Sequence, residues 1–131
     1  MGPLLLLLVT GGAVVGTGVR YSVARALPTV AGRFPLGTFT VNLVGAFLLG
    51  ALLEALVRPA GETARRRQLR LLIGTGFCGA LTTYSTLAVE ADQLLRHHKA
   101  ALAVGYAAGS VVAGLVVCGL GITVAQLVRR R

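Results

Sequence analysis

The sequence predicts an all-α integral membrane protein with four transmembrane helices, and three observations carry that prediction. The chain of 131 residues is 55% hydrophobic and only 13% charged, with a mean hydropathy of +0.79 that soluble globular domains do not show. Its apolar residues fall into four runs of the roughly 20 residues a helix needs to cross a hydrocarbon core about 30 Å thick. The four prolines and most of the arginines lie in the short intervals that separate or flank those runs.

The first run extends from Leu4 to Leu27, between Pro3 and Pro28, with Arg20 and Arg25 in its final third, where long cationic side chains snorkel to the interface. Leu4 to Val9 resembles the core of a signal peptide and Ala24-Arg25-Ala26 a cleavage site. No Lys or Arg precedes the apolar run, so the segment is read as a span. The second runs from Leu36 to Val57 and ends at Arg58-Pro59-Ala60-Gly61; Arg65, Arg66, Arg67 and Arg70 then mark a charged boundary before the third, Leu69 to Leu95. The fourth, Ala100 to Val128, carries no charge and is closed by Arg129, Arg130 and Arg131. The length allows one domain, residues 1–131. Glycine spacings such as Gly12xxxGly16 and Gly105xxxGly109 are those that let membrane helices approach closely, so packing is the default role of the 18 glycines.

In a soluble protein a net charge of +9 would suggest nucleic acid, but the apolar runs leave no soluble domain to carry such a surface. The arginines are read instead as loop residues beside lipid headgroups. With four spans, Arg58, Arg65, Arg66, Arg67, Arg70 and Arg129 to Arg131 share one side, and Arg20, Arg25, Arg33, Arg96 and Lys99 the other. Eight against five predicts a multi-pass protein of the cell membrane with both termini in the cytoplasm. Cys78 and Cys118 both lie in apolar stretches, which supports neither a disulfide framework nor a CxxC site.

Polar residues at membrane depth are costly without partners, and the few present are the functional pointers. Thr38 and Asn42 lie four apart on one face of the second helix; Tyr106, Ser110 and Gly114 make a similar stripe on the fourth. Interhelical hydrogen bonding and small-residue packing are the plain readings; a ladder of O–H donors along a water-filled path is the functional one. The third helix is unusual, because Thr82-Thr83-Tyr84-Ser85-Thr86 follows Gly74-Thr75-Gly76-Phe77-Cys78-Gly79 at mid-span. Glycine weakens a helix by about 1 kcal/mol relative to alanine, and hydroxyls compete for backbone partners, so a break between Gly79 and Thr82 is expected. Non-helical backbone at that depth is tolerated where it lines a cavity, and its freed carbonyls suit a hard cation. The GxGxxG match at Gly74 to Gly79 follows no βαβ strand and is discounted for nucleotides.

These strings resemble the CrcB or Fluc fluoride channels over nearly the whole chain. The resemblance is carried by Gly11-Gly12 through Gly16 to Arg20-Tyr21, by Gly37-Thr38-Phe39-Thr40-Val41-Asn42-Leu43-Val44-Gly45, and by Gly76-Phe77-Cys78-Gly79-Ala80-Leu81-Thr82-Thr83-Tyr84-Ser85-Thr86. It implies an antiparallel dimer with two pores lined by both subunits, passive export of fluoride from the cytoplasm, and a structural, untransported Na⁺ held by backbone carbonyls at Gly79 and Thr82. It likewise implies that Asn42 donates to fluoride, that Thr38, Tyr106 and Ser110 lie along the path, and that Arg20 sits in a vestibule. The family usually has Phe at the positions of Tyr84 and Leu87, where ring edges contact fluoride, and commonly Ser at the position of Gly114.

The partners expected are therefore fluoride, membrane lipid, and either a second copy of this chain or a related chain inserted in the opposite orientation; nucleic acid is not among them. The uneven charge count and the missing Phe pair favour the related chain, in a heterodimer whose pores are unequal. A small multidrug antiporter is the rival reading, and it needs a carboxylate deep in the membrane. Glu54, Glu62, Glu90 and Asp92 are read as lying near segment ends, which counts against it. No enzyme is expected, since His97 and His98 lie in a loop with no acid, nucleophile or metal cluster to complete a site.

Overall fold

A computed structural model of the chain describes residues 2–56 and 63–130. Val57, the Arg58-Pro59-Ala60-Gly61 terminator, Glu62 and Arg131 lie outside the described residues. Four helices are long and apolar enough to cross a membrane: Pro3–Ala26, Leu36–Leu56, Ala64–Arg96 and Ala100–Arg130. They are called here the first to fourth spans, and they fall where the four apolar runs place them. The described residues contain no strand.

Local chemistry sets the ends. Pro3 opens the first span, where a missing N–H is no loss, and Gly32, at φ +72°, turns the loop toward buried Pro35 and the second span. Thr63 caps the third, its hydroxyl accepting from the Arg66 N–H at 3.4 Å, so this helix starts five residues before the expected Leu69. The chain then widens into a π-helix over Arg70–Cys78 and returns to α-helix for Gly79–Leu81. Thr82 (ψ 155°) and Thr83 (φ −149°, ψ 125°) are extended, and a new helix covers Tyr84–Arg96. The interruption is thus one step later than the sequence suggests, and Gly79 itself is helical (φ −63°, ψ −33°). The glycines are absorbed by the wider π-turn, and the hydroxyls make the break. Thr82 Oγ1 donates back to the Cys78 carbonyl at 2.9 Å, and Thr83 Oγ1 accepts from the Thr86 N–H at 3.2 Å, capping the new helix.

Two backbone-to-backbone contacts hold the bundle. A Cβ on Gly12 of the first span would collide with the Leu72 carbonyl in the π-helix, and one on Gly76 would lie 2.5 Å from the Val9 carbonyl. A Cβ on Gly121 of the fourth span would strike the Phe47 carbonyl of the second. By contrast Gly105, Gly109 and Gly114 have no neighbour within 4 Å where a Cβ would stand, so the expected small-residue contact there is not made within this chain. Arg129 Nη2 meets Glu54 Oε1 at 3.3 Å and ties the end of the fourth span to that of the second. The apolar core at the other end is Leu94, Ala103 and Tyr106, packed by Phe34, Phe39 and Leu87.

Candidate functional site

The break in the third span is built by a side chain from the second. Asn42 Nδ2 donates to the Thr83 carbonyl at 3.0 Å, and Asn42 Oδ1 accepts from the Thr83 N–H at 2.8 Å. In a continuous helix the N–H groups of Thr83 and Thr86 would go to the carbonyls of Gly79 and Thr82. Here the first goes to Asn42 and the second to Thr83 Oγ1, so those two carbonyls lose their helical partners. The negative end of the 64–81 segment and the positive end of Tyr84–Arg96 therefore face the same gap. Carbonyl oxygens there suit a hard cation, while N–H and O–H groups suit an anion. Among the described residues no three of His, Cys, Asp and Glu come together as metal ligands.

Two cavities meet at Thr83. The larger, about 380 Å³, is walled by Asn42, Gly79, Thr82, Thr83, Tyr84 and Leu87, among others, and opens to the outside of the subunit. The Tyr84 side chain stands on its rim, 83% exposed. The smaller, about 240 Å³, lies between the first three spans and is lined by Thr17, Arg20, Thr38, Thr83 and Thr86. The expected site residues thus fall into three groups. Asn42, Gly79, Thr82, Tyr84 and Leu87 surround the first cavity and Arg20 and Thr38 the second, whereas Tyr106 and Ser110 are buried in the bundle. Asn42 is also the interhelical bond that the plain reading expects, and one N–H of its amide is left over.

Sequence reading missed the group that joins the last two sets. Glu90 is not at a segment end in any functional sense: it is 6% exposed, inside the helix Tyr84–Arg96. Its Oε1 accepts from Thr29 Oγ1 at 2.8 Å and Thr38 Oγ1 at 2.9 Å, and its Oε2 from the Tyr106 hydroxyl at 2.7 Å. Ser110 Oγ, one turn along, donates to the Tyr106 carbonyl at 2.6 Å. Phe34 sets its ring against Tyr106 edge to face, with centroids 5.3 Å apart. A carboxylate at this depth is costly, and three hydroxyl donors from two spans and a loop offset that. One signal in the sequence could have found it: Leu87, Glu90, Ala91 and Leu94 share a helical stripe, so Glu90 occupies a core position.

The family model described as CrcB-like protein, Camphor Resistance (CrcB), matches residues 7–122. A protein of Cutibacterium acnes named fluoride-specific ion channel FluC 1 is 41% identical over 126 residues, covering 96% of this chain and 88% of its own. One of Chlorobaculum tepidum named fluoride-specific ion channel FluC is 41% identical over 122 residues, 93% of this chain and 94% of its own. FluC 2 of Leifsonia xyli, also named a fluoride-specific ion channel, is 42% identical over 113 residues, 86% of this chain and 77% of its own. The matches run through all four spans and both sides of the break, and the chain belongs to the CrcB family.

Proposed function

We propose that this chain is a subunit of a fluoride-selective channel that lets F⁻ leave the cytoplasm passively, and that it works as an antiparallel dimer. The observation that carries the reading is the break at Thr82–Thr83, which sets hydroxyls, N–H groups and freed carbonyls around an open cavity in a chain whose relatives are named fluoride-specific channels. A small, strongly hydrated anion needs compact donors in place of water. At the larger cavity the remaining N–H of Asn42 and the ring edge of Tyr84 are the donors at hand. The hydroxyls of Thr38, Tyr106 and Ser110 already donate to Glu90 and to the Tyr106 carbonyl and reach an anion only by turning. Leu87 supplies only an apolar wall, and Arg20 in the smaller cavity attracts anions toward it.

The wide, open cavity and the 83% exposed Tyr84 ring suit a face that a second subunit covers. The carbonyls of Gly79 and Thr82 would hold a Na⁺ there, two from each subunit, and the bound cation would lower the cost of an anion nearby. The uneven arginine count favours a related, oppositely oriented chain as the second subunit.

Glu90 gives the antiporter reading its one support, since it is a carboxylate inside a span. It lines neither large cavity, however, and its partners are hydroxyls of its own fold. Efflux from liposomes separates the readings. A channel releases fluoride and not chloride without a proton gradient, and loses that flux when Na⁺ is replaced by a large organic cation. Transport only with a pH gradient would favour the antiporter, and unchanged flux without Na⁺ would remove the structural cation.

A further inference from the structure

We propose that Thr29, in the loop between the first two spans, is a positioning residue for the ion path. It keeps the Glu90 carboxylate at the loop end when the span hydroxyls turn away from it. This rests on the channel reading above. The three donors on Glu90 are not alike: Thr38 and Tyr106 are buried residues of the spans, while Thr29 is an exposed loop residue 61 positions away in sequence. The loop is nevertheless fastened. Phe34 packs edge to face on both Tyr106 and Phe39, at 5.3 Å and 5.2 Å, Pro35 is fully buried, and the Leu27 carbonyl lies 2.8 Å from where a Cβ on Gly37 would stand.

Thr38 and Tyr106 each have a single O–H proton, and in this structure both point at Glu90. Either hydroxyl serves a passing anion only by turning that proton away from the carboxylate. A buried carboxylate left without donors is strongly disfavoured, and that penalty would oppose every such turn. Thr29 shares Oε1 with Thr38, so Oε1 keeps a donor when Thr38 lets go. The same bond holds the negative charge toward the loop and away from the smaller cavity, whose wall includes Thr38 but not Glu90.

The test compares wild type, Thr29→Val and Thr29→Ser in liposomes, with the assembled protein checked by size and thermal unfolding. Valine keeps the shape and removes the donor, and fluoride efflux is expected to fall about tenfold, the effect of one hydrogen bond to a charged group. Serine restores it. A second readout does not depend on flux: the ¹³C carboxyl resonance of Glu90, identified with Glu90→Gln, shifts in Thr29→Val and returns in Thr29→Ser. Should the valine variant fail to assemble, Thr29→Ala is read in the same way. Wild-type flux in the assembled valine variant, an equal loss in the serine variant, or an unmoved Glu90 resonance would overturn the proposal. A wild type that carries no fluoride, either alone or reconstituted with an oppositely oriented relative, would sink the channel reading and this proposal with it, whereas equal flux in wild type and Thr29→Val sinks this one alone.

Discussion

The two halves of the third span are held in place by different means. Before the break, residues 64–81 press backbone against the backbone of the first span, with Gly12 under the Leu72 carbonyl and Gly76 against Val9. After it, Tyr84–Arg96 packs Leu87 and Leu94 into the apolar core and adds polar bonds: Asn42 to Thr83 at its start, and Glu90 to three hydroxyls further along. Lipid offers no hydrophobic drive between helices, so close packing and satisfied hydrogen bonds are the means available, and this span combines them differently on each side of Thr82–Thr83. The difference teaches where tolerance lies. A close-packed face accepts no added atom, whereas a hydrogen-bonded face accepts a change that preserves its donors and acceptors.

The sharpest way to break the packed half is Gly12→Val. Its Cβ would overlap the Leu72 carbonyl, which is backbone and cannot swing aside, and a loss of about 3 kcal/mol or more is expected, read as failure to assemble in detergent. On the bonded half, Glu90→Leu leaves the Thr29, Thr38 and Tyr106 hydroxyls without their acceptor and should lower stability by about 2 to 3 kcal/mol in thermal unfolding. Glu90→Gln keeps an acceptor and should lose clearly less; equal losses would show that charge, and not hydrogen bonding, holds this half. Asn42→Ala frees the Thr83 N–H and carbonyl, for an expected loss of about 1 to 2 kcal/mol with assembly retained and most fluoride flux gone. Full flux in that assembled variant would make Asn42 a brace for the break and nothing more. The smallest effect is a gain. His98 closes the helix after Arg96 at φ 58°, with its N–H on the Leu95 carbonyl at 3.0 Å, and His98→Gly should stabilise by up to about 1 kcal/mol.

Much of this was legible in the residues. The four spans were visible because a bilayer demands about 20 apolar residues per helix, which no local detail can disguise. The break was visible because Gly74-Thr75-Gly76 and Thr82-Thr83 are poor helix formers in the middle of such a run. Its placement was off by a residue or so, since a π-helix, formed over Arg70–Cys78, absorbs glycines without ending the helix. Asn42 was seen as important, but its bond to both backbone groups of Thr83 was not. That pairing depends on the register of the second span against the third, which neither segment states alone.

Glu90 shows most plainly what tertiary structure decided. By position along the chain it looks like an end residue, and by composition it is one carboxylate among four. Only the docking of the loop carrying Thr29, the second span carrying Thr38 and the fourth carrying Tyr106 makes its burial affordable. Apolar length and helix punctuation are local quantities, so the sequence by itself determined the number of spans and the approximate site of the break, and its residue strings at Gly37 to Gly45 and Gly76 to Thr86 carried the family. Which hydroxyl meets which carboxylate oxygen depends on contacts across 16 to 61 residues, and those exist only once the spans have packed.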